Sequence, residues 1–121
     1  MKVKIDTKEK MHVIKLEEHH LTENMTGEIE KFFLKFLGDS LKNLVVNFEN
    51  VNEIELGAAN TLVSVQQAFY EANHSMVFCN LQPAVYDFLE KNELLELMNV
   101  TPTESEAWDI VQMEEIEREF L

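Results

Sequence analysis

Hydrophobic residues follow two spacings along this chain, one typical of buried strands and one typical of amphipathic helices. Continuous apolar runs at 44–48 and 76–79 predict strands that are covered on both faces. Apolar residues that recur every three or four positions predict four helices, over 27–37, 58–73, 83–94 and 103–116. Apolar stretches around 3–5 and 11–16 flank a polar segment and predict a hairpin, and Val100 is predicted to lie in a short last strand.

The order of these elements is β-β-α-β-α-β-α-β-α. Helices that alternate with strands are typical of a largely parallel sheet, and the initial hairpin adds an antiparallel pair. The sequence therefore predicts an α/β fold with a mixed central sheet and about four helices packed on it. Residues 1–121 contain no repeat, linker or low-complexity segment, so we expect a single domain.

Composition indicates the cellular compartment and argues against some classes of binding partner. The chain holds 10 Lys and Arg against 23 Asp and Glu, a net charge of −13, so nucleic acid and anionic lipid should repel it. No apolar stretch approaches the ~20 residues of a membrane span, and the N-terminus lacks the apolar segment of a secretory signal. Because Cys79 is the single cysteine, no internal disulfide can form, which is typical of a reducing compartment. We therefore expect a cytoplasmic protein, and the absence of a long apolar stretch predicts no membrane insertion.

Negative charge is concentrated in the last predicted helix. Seven carboxylates lie between Glu104 and Glu119, and Arg118 is the one basic residue among them. Such a run is typical of a solvated helix face that keeps a protein soluble. The alternative is a docking surface for a basic partner.

Candidate catalytic and metal-binding residues do not form a recognisable set. His19 and His20 are adjacent, and neighbouring side chains on a strand point to opposite faces, so they cannot readily chelate one metal. Cys79 lies in an apolar strand, where a thiol acts as a small buried hydrophobe. Glu53 and Glu55 flank a turn, but acid–base catalysis also requires a pocket that gives two carboxylates different environments. We therefore expect no enzyme activity, no metal and no cofactor.

The segment from Val51 to Val63 is the most informative part of the chain. A strand end, a turn of small residues and a helix follow one another there, which places a helix N-terminus beside the end of a buried strand. Unpaired backbone N–H groups and the helix dipole make such a terminus a natural recognition or anion site. Between Glu55 and Asn60 there is no Ser, Thr, Cys, His or Lys, so this turn has no nucleophile and no phosphate acceptor.

The residues expected to contact a partner lie on this turn and on the helix that follows. They are Glu55, Leu56, Gly57, Ala58, Asn60, Thr61 and Ser64. The small residues among them have a second explanation, because they let a helix pack closely on its strand. Leu56 is either buried or a contact point. Thr61 and Ser64 should be exposed or marginal, and phosphorylation at either one is an open alternative.

Four motifs occur in order along the chain and resemble the patterns of one family. Leu44–Val51 matches lvlDlsnV, Ile54–Val63 stands where the family has iDSSGLgvLl, Phe78–Val85 matches l.nlsp.V, and Thr103–Ala107 matches t.eeAl. The family is the STAS domain, named after sulfate transporters and anti-sigma-factor antagonists, and the resemblance covers nearly the whole chain. It implies a STAS-type mixed sheet with the helices mainly on one side.

The resemblance also implies a module that docks with another protein, either an anti-sigma kinase-like protein or another regulator. In the family's antagonists, a serine at the start of the second helix is phosphorylated, which adds roughly −1.5 to −2 charge and switches docking off. Gly57 stands at that position here, with Leu56 at the preceding serine and Glu55 at the aspartate. A one-residue shift of the alignment puts Leu56 on the phosphoacceptor, so the hydroxyl is missing in either register. The family's GeLD signature is absent too, with Glu17–Thr22 in its place.

The sequence thus predicts a non-catalytic, regulatory protein-interaction module without the serine switch. One alternative is an accessory subunit or ligand-binding module of a membrane transport system, as STAS units attached to transporters suggest. An enzyme is a weaker alternative, because no nucleophile–base pair or metal constellation is evident. Homodimerisation through the first or the last helix also stays open.

Overall fold

A computed structural model describes residues 1–120 of the chain. The strands are β1 (Val3–Thr7), β2 (His12–Leu16), β3 (His20–Leu21), β4 (Asn43–Asn47), β5 (Glu53–Ile54), β6 (Ser75–Cys79) and β7 (Val100–Thr101). The α-helices are α1 (Thr26–Leu34), α2 (Leu56–Glu71), α3 (Pro83–Lys91) and α4 (Glu104–Glu119). Short 3₁₀ helices cover Glu23–Met25, Lys35–Gly38 and Leu95–Leu97.

The central sheet has five strands in the order β1-β2-β4-β6-β7. The hairpin pair β1 and β2 is antiparallel, and the other three pairings are parallel. Strands β3 and β5 form a separate parallel pair, with His20 opposite Glu53 and Leu21 opposite Ile54. The prediction of an α/β fold with a mixed central sheet is confirmed.

Alternating side chains of the central strands divide the core into two layers. Leu44 and Val46 on β4, like Met76 and Phe78 on β6, belong to a large cluster with buried residues of α1, α2 and α3. The intervening residues, including Val45, Val77 and Cys79, join a smaller cluster with Ala107 and Val111 of α4. Three helices therefore cover one face of the sheet and α4 covers the other, because a strand buried on both faces needs an apolar layer on each side.

Several element boundaries differ from the sequence prediction. Helix α2 begins at Leu56, two residues before the predicted start, and ends at Glu71. Asn73 follows it with a φ of 61°, a left-handed conformation that asparagine tolerates better than most residues. The regular part of α1 ends at Leu34 and continues as a 3₁₀ turn through Gly38. Neither β3 nor β5 was predicted, and this small pair positions the site described next.

Candidate functional site

The N-terminus of α2 lies at an exposed corner that the small β3–β5 sheet holds in place. The backbone N–H of Glu55 donates to the carbonyl of Leu21 at 2.8 Å and so extends the pairing by one residue. On the other side of the pair, the N–H groups of Asn52 and Glu53 donate to the carbonyl of His19 at 2.7 and 3.1 Å. Glu55 itself has extended backbone geometry, φ −90° and ψ 155°, and the helix starts directly after it. The chain therefore turns from strand to helix at a position fixed by three backbone hydrogen bonds.

Two glutamates connect the chain segments at this corner through hydrogen bonds. The Glu55 carboxylate accepts a hydrogen bond from the backbone N–H of Glu23 at 2.7 Å. In return, the Glu23 carboxylate accepts one from the backbone N–H of Gly57 at 3.3 Å. Glu55 occupies the N-cap position without capping α2 through its own side chain. The first turn of α2 thus takes its carboxylate from a distant segment, and negative charge at that end of a helix is favourable.

Gly57 makes room for the Glu23 side chain. A Cβ atom at position 57 would lie 2.9 Å from the Glu23 Cγ atom and 3.3 Å from its Cδ atom. The first of these contacts is shorter than carbon atoms tolerate, so a larger residue at 57 requires the exposed Glu23 side chain to move. The glycine leaves space for this side chain, and its φ is not positive.

A third side chain, that of His20, approaches the same corner. Its Nε2 atom lies 3.7 Å from Glu53 Oε2 and 4.0 Å from Glu55 Oε2. The side chains of His20, Glu53 and Glu55 are solvent-exposed, so the attraction, which requires a protonated imidazole, is screened and contributes about 0–1 kcal/mol at most. Together with Leu56 and with Phe88 of α3, they border an open groove of about 550 Å³.

The predicted contact residues fall into three environments. Leu56 is 42% exposed, and Asn60 and Ser64 are also exposed. Thr61 is half-buried, and its hydroxyl donates to the carbonyl of Gly57 at 2.9 Å. Ala58 is fully buried in the core, which removes its side chain from the set that can touch a partner. Its small size serves close helix packing, the second of the two explanations given for it.

The polar members of the set also border a second groove, between α1 and α2. Asn60, Thr61 and Ser64 lie along it with Glu30 and Leu34 of α1, and its volume is about 390 Å³. The α2 corner, which we define as Glu23, Glu55, Leu56, Gly57 and Asn60, therefore continues into a shallow furrow along the helix. Sequence reasoning missed Glu23, which lies more than thirty residues from its partners and carries no local signal of that role.

Other groups with chemical capacity are dispersed. Across residues 1–120, no group of three or more His, Cys, Asp or Glu side chains is arranged to hold a metal ion. Cys79 is fully buried, and burial raises the pKa of its thiol to about 12, so the reactive thiolate does not form at neutral pH. The His19 ring makes a 3.0 Å hydrogen bond through Nδ1 to the carbonyl of Asn50. In the same part of the chain, none of the helices has the length and apolarity that crossing a bilayer requires.

A five-stranded mixed sheet with three helices on one face, one on the other and an exposed corner at the start of α2 defines the class as a small α/β domain. The sequence profile of the STAS domain matches residues 3–107. The chain therefore belongs to the STAS domain family. A search of curated proteins finds no significant match.

Solved structures show the same fold. An anti-sigma-factor antagonist STAS protein from Planctomyces limnophilus superposes with a TM-score of 0.78 at 17% identity, covering 91% of this chain and 97% of that one. The anti-sigma factor antagonist SpoIIAA of Bacillus, in its unphosphorylated form, gives 0.70 at 18% identity, with 92% and 96% covered. A part of the murine anion transporter Slc26a9 gives 0.70 at 12% identity, with 86% of this chain but 18% of the transporter covered. At these identities the likeness shows the fold alone.

Proposed function

We propose that this chain is a non-catalytic regulatory domain that binds a protein partner through the α2 corner, and that serine phosphorylation does not control this binding. The observation that carries the proposal is the pairing of Gly57 with Glu23. The position where the family's antagonists have their phosphoacceptor has no hydroxyl, and a carboxylate already accepts the hydrogen bond of its N–H group. The partner is an anti-sigma kinase-like protein or another regulator, as the family resemblance implies.

Exposure and shape support contact at this corner. Leu56 presents apolar surface to solvent at the start of α2. Asn60 lies one turn further along α2 and offers an amide that both donates and accepts hydrogen bonds. Contact residues placed on a rigid helix are held more precisely than residues on a loop.

The hydroxyls that remain near the corner are poorly placed to replace the missing serine. Thr61 donates its hydroxyl proton to the Gly57 carbonyl within the helix. Ser64 is exposed but lies two turns into α2, beside the α1–α2 groove. Both residues lie more than one turn beyond the start of α2 at Leu56, whereas a helix stabilises an anion most strongly at its first N–H groups.

A fixed carboxylate has a different consequence from a phosphate. The Glu23 carboxylate is part of the chain and is positioned by folding, whereas a phosphate is added and removed by enzymes. A partner of this domain therefore meets one charge state at the start of α2. Control of the complex is expected to rest on the abundance or the state of the partner.

The test uses regulatory proteins encoded next to this gene, with kinase-like and phosphatase-like proteins tried first. Binding to the full chain is measured by calorimetry, for the wild type and for Leu56→Asp. The matched control is Leu97→Asp, because Leu97 is also an exposed leucine, 55% exposed, but lies in the 3₁₀ turn after α3. We expect Leu56→Asp to weaken binding by roughly tenfold or more, about 1.4 kcal/mol, and Leu97→Asp to leave it unchanged.

Phosphate transfer is tested in the same preparation with ATP and mass spectrometry. Efficient labelling anywhere in residues 55–64 would contradict an unswitched corner. Equal losses of affinity in the two leucine variants would contradict the assignment of the contact surface.

A second candidate function follows from the shared fold of the Slc26a9 region, which lies within an anion transporter. Under this alternative, the chain is an accessory subunit of a membrane transport system. Recovery of one integral membrane protein as the stoichiometric partner, lost in Leu56→Asp but kept in Leu97→Asp, would favour it over a cytoplasmic regulator.

A further inference from the structure

Helix α4 presents an apolar stripe to solvent on the side turned away from the sheet. Met113 is 56% exposed and Ile116 is 55% exposed, and Phe120, directly after the helix, is 83% exposed. Their spacing of three and four residues places them on one side of the helix. Contiguous exposed apolar side chains of this size mark interaction surfaces more often than isolated ones do.

The opposite side of α4 is fully engaged, so the stripe is not a core face that happens to be uncovered. Ala107 and Val111 are completely buried against the sheet. Further along, the Glu114 carboxylate accepts a hydrogen bond from the Tyr70 hydroxyl at 2.7 Å. The Arg118 guanidinium donates to the Ser75 hydroxyl at 2.7 Å and to the Asn43 side-chain oxygen at 3.0 Å. These contacts fix the rotation of the helix about its axis and hold the stripe outward.

Carboxylates surround the stripe. Glu106, Asp109, Glu117 and Glu119 are all exposed and lie beside it or at its N-terminal end. Arg118, the one basic residue of the helix, is directed inward to Ser75 and Asn43. The surface therefore combines an apolar centre with an acidic rim.

We propose that this surface, the α4 stripe (Met113, Ile116 and Phe120 with their acidic rim), binds a basic amphipathic helix of a partner protein. The apolar centre fits the apolar side of such a helix, and the rim is complementary to the Lys and Arg residues that flank it. A second copy of this chain fits poorly, because two α4 stripes facing each other would place carboxylates against carboxylates. An anionic lipid surface is repelled for the same reason.

The α4 stripe lies on the other face of the sheet from the α2 corner, so it is a site separate from the proposed function. The α2 corner belongs to the layer of three helices, whereas α4 covers the opposite face alone. A partner at the corner and a helix on the α4 stripe would not compete for space. The domain would then bring two proteins together instead of holding one.

The probe is a synthetic amphipathic peptide of leucine and lysine, about 18 residues long or roughly five helical turns. A peptide with glutamate at every lysine position is the matched control. Calorimetry with the full chain should show saturable binding of one lysine peptide per chain, weakening as salt rises, and no binding of the glutamate peptide. Three variants then separate the contributions: Met113→Ser with Ile116→Ser, Asp109→Asn with Glu117→Gln, and Leu56→Asp.

We expect the serine pair to weaken binding of the lysine peptide roughly tenfold with an unchanged thermal midpoint, since both replaced residues are exposed. The amide pair should weaken it severalfold and reduce its dependence on salt. Leu56→Asp should leave it unchanged, so failure of the proposed corner and failure of the α4 stripe can be told apart.

Three results would overturn the inference. Unchanged peptide affinity in the serine pair would show that only charge attracts the peptide. Self-association of the wild type in sedimentation experiments, abolished by the serine pair, would assign the stripe to a homodimer. Binding to phosphatidylglycerol vesicles through the same two residues would assign it to a membrane surface.

Discussion

The α2 corner and the α4 stripe are both exposed, but they are built in opposite ways. At the corner, polar contacts between distant segments create the surface itself. The Glu55 carboxylate accepts a hydrogen bond from the Glu23 N–H, and the Glu23 carboxylate accepts one from the Gly57 N–H. At α4, the residues that contact the rest of the domain, such as Val111, Glu114 and Arg118, lie on the inner side of the helix, and the stripe lies on the outer side. A substitution at the corner therefore changes both the local structure and the exposed surface. On α4, an inner substitution changes stability and an outer substitution changes only the surface.

The sharpest test of that separation compares two aspartates on the same helix. Val111→Asp places an unpaired charge in a fully buried site and should lower the free energy of unfolding by about 3–5 kcal/mol. Met113→Asp, two residues further on, should change it by no more than about 0.5 kcal/mol. Urea unfolding followed by the fluorescence of Trp108, which packs beside Val111, measures both. Similar losses in the two variants would mean that α4 is rotated differently on the sheet.

Tyr70 connects helices α2 and α4 at the end of α2 opposite the corner, where its hydroxyl donates to the Glu114 carboxylate. Its oxygen also accepts a hydrogen bond from the Asn99 side chain at 2.7 Å. Tyr70→Phe removes both interactions and should cost about 1–3 kcal/mol of unfolding free energy. An unchanged free energy of unfolding would mean that apolar packing and the Arg118 contacts hold α4 without Tyr70.

The same residue gives a pH signature. Burial, reinforced by the neighbouring Glu114 carboxylate, raises the pKa of the Tyr70 phenol well above its ordinary value of 10.0. A raised pKa in the folded state means that the contribution to stability is complete below about pH 10 and declines above it, as unfolded tyrosine loses its proton first. Wild-type stability should therefore fall more steeply than that of Tyr70→Phe between about pH 10 and pH 11. Parallel curves would place the phenol in water.

How much the sequence predicted differs between the two regions for a physical reason. The continuous apolar residues at 44–48 and 76–79 predict the buried strands β4 and β6. The predicted start of the last helix at 103 is the N-cap of α4, where the Thr103 hydroxyl accepts a hydrogen bond from the Glu106 N–H at 3.2 Å. These are local signals of burial and capping. The apolar pattern over 103–116 does not separate the two sides of the helix, because Val111 is fully buried whereas Ile116 lies on the outer side. Apolar residues on two sides of a helix blur its periodicity.

At the corner, the sequence does not show the contacts between segments that are distant along the chain. Two-residue strands such as β3 and β5 are too short for any alternation to show. Glu23 is one of 23 acidic residues, and only the folded chain brings it to Gly57. The glycine was interpreted as a lost serine and a sharp turn, whereas its local role is to leave space for a side chain that sequence cannot place.

That role predicts coupling between Gly57 and Glu23. Gly57→Ser restores the family's hydroxyl but pushes its Cβ against the Glu23 side chain. In a Glu23→Ala background the same substitution should be about 0.5–1 kcal/mol more favourable, the interaction energy typical of contacting residues. Chemical denaturation of the four proteins closes this double-mutant cycle. Additive effects would show that the carboxylate and position 57 are independent.

The smallest effect is expected one turn further along α2. The Thr61 hydroxyl donates to the Gly57 carbonyl, and hydrogen bonds of this type compete with the regular helix instead of strengthening it. Alanine also has the highest helix propensity, so Thr61→Ala should change the unfolding free energy by no more than about 0.5 kcal/mol. A loss above about 1 kcal/mol would mean that this hydroxyl secures the first turn. In that case the corner would depend on a hydrogen bond within α2 as well as on the remote carboxylate of Glu23. The corner and α4 would then differ less in how their surfaces are held in place.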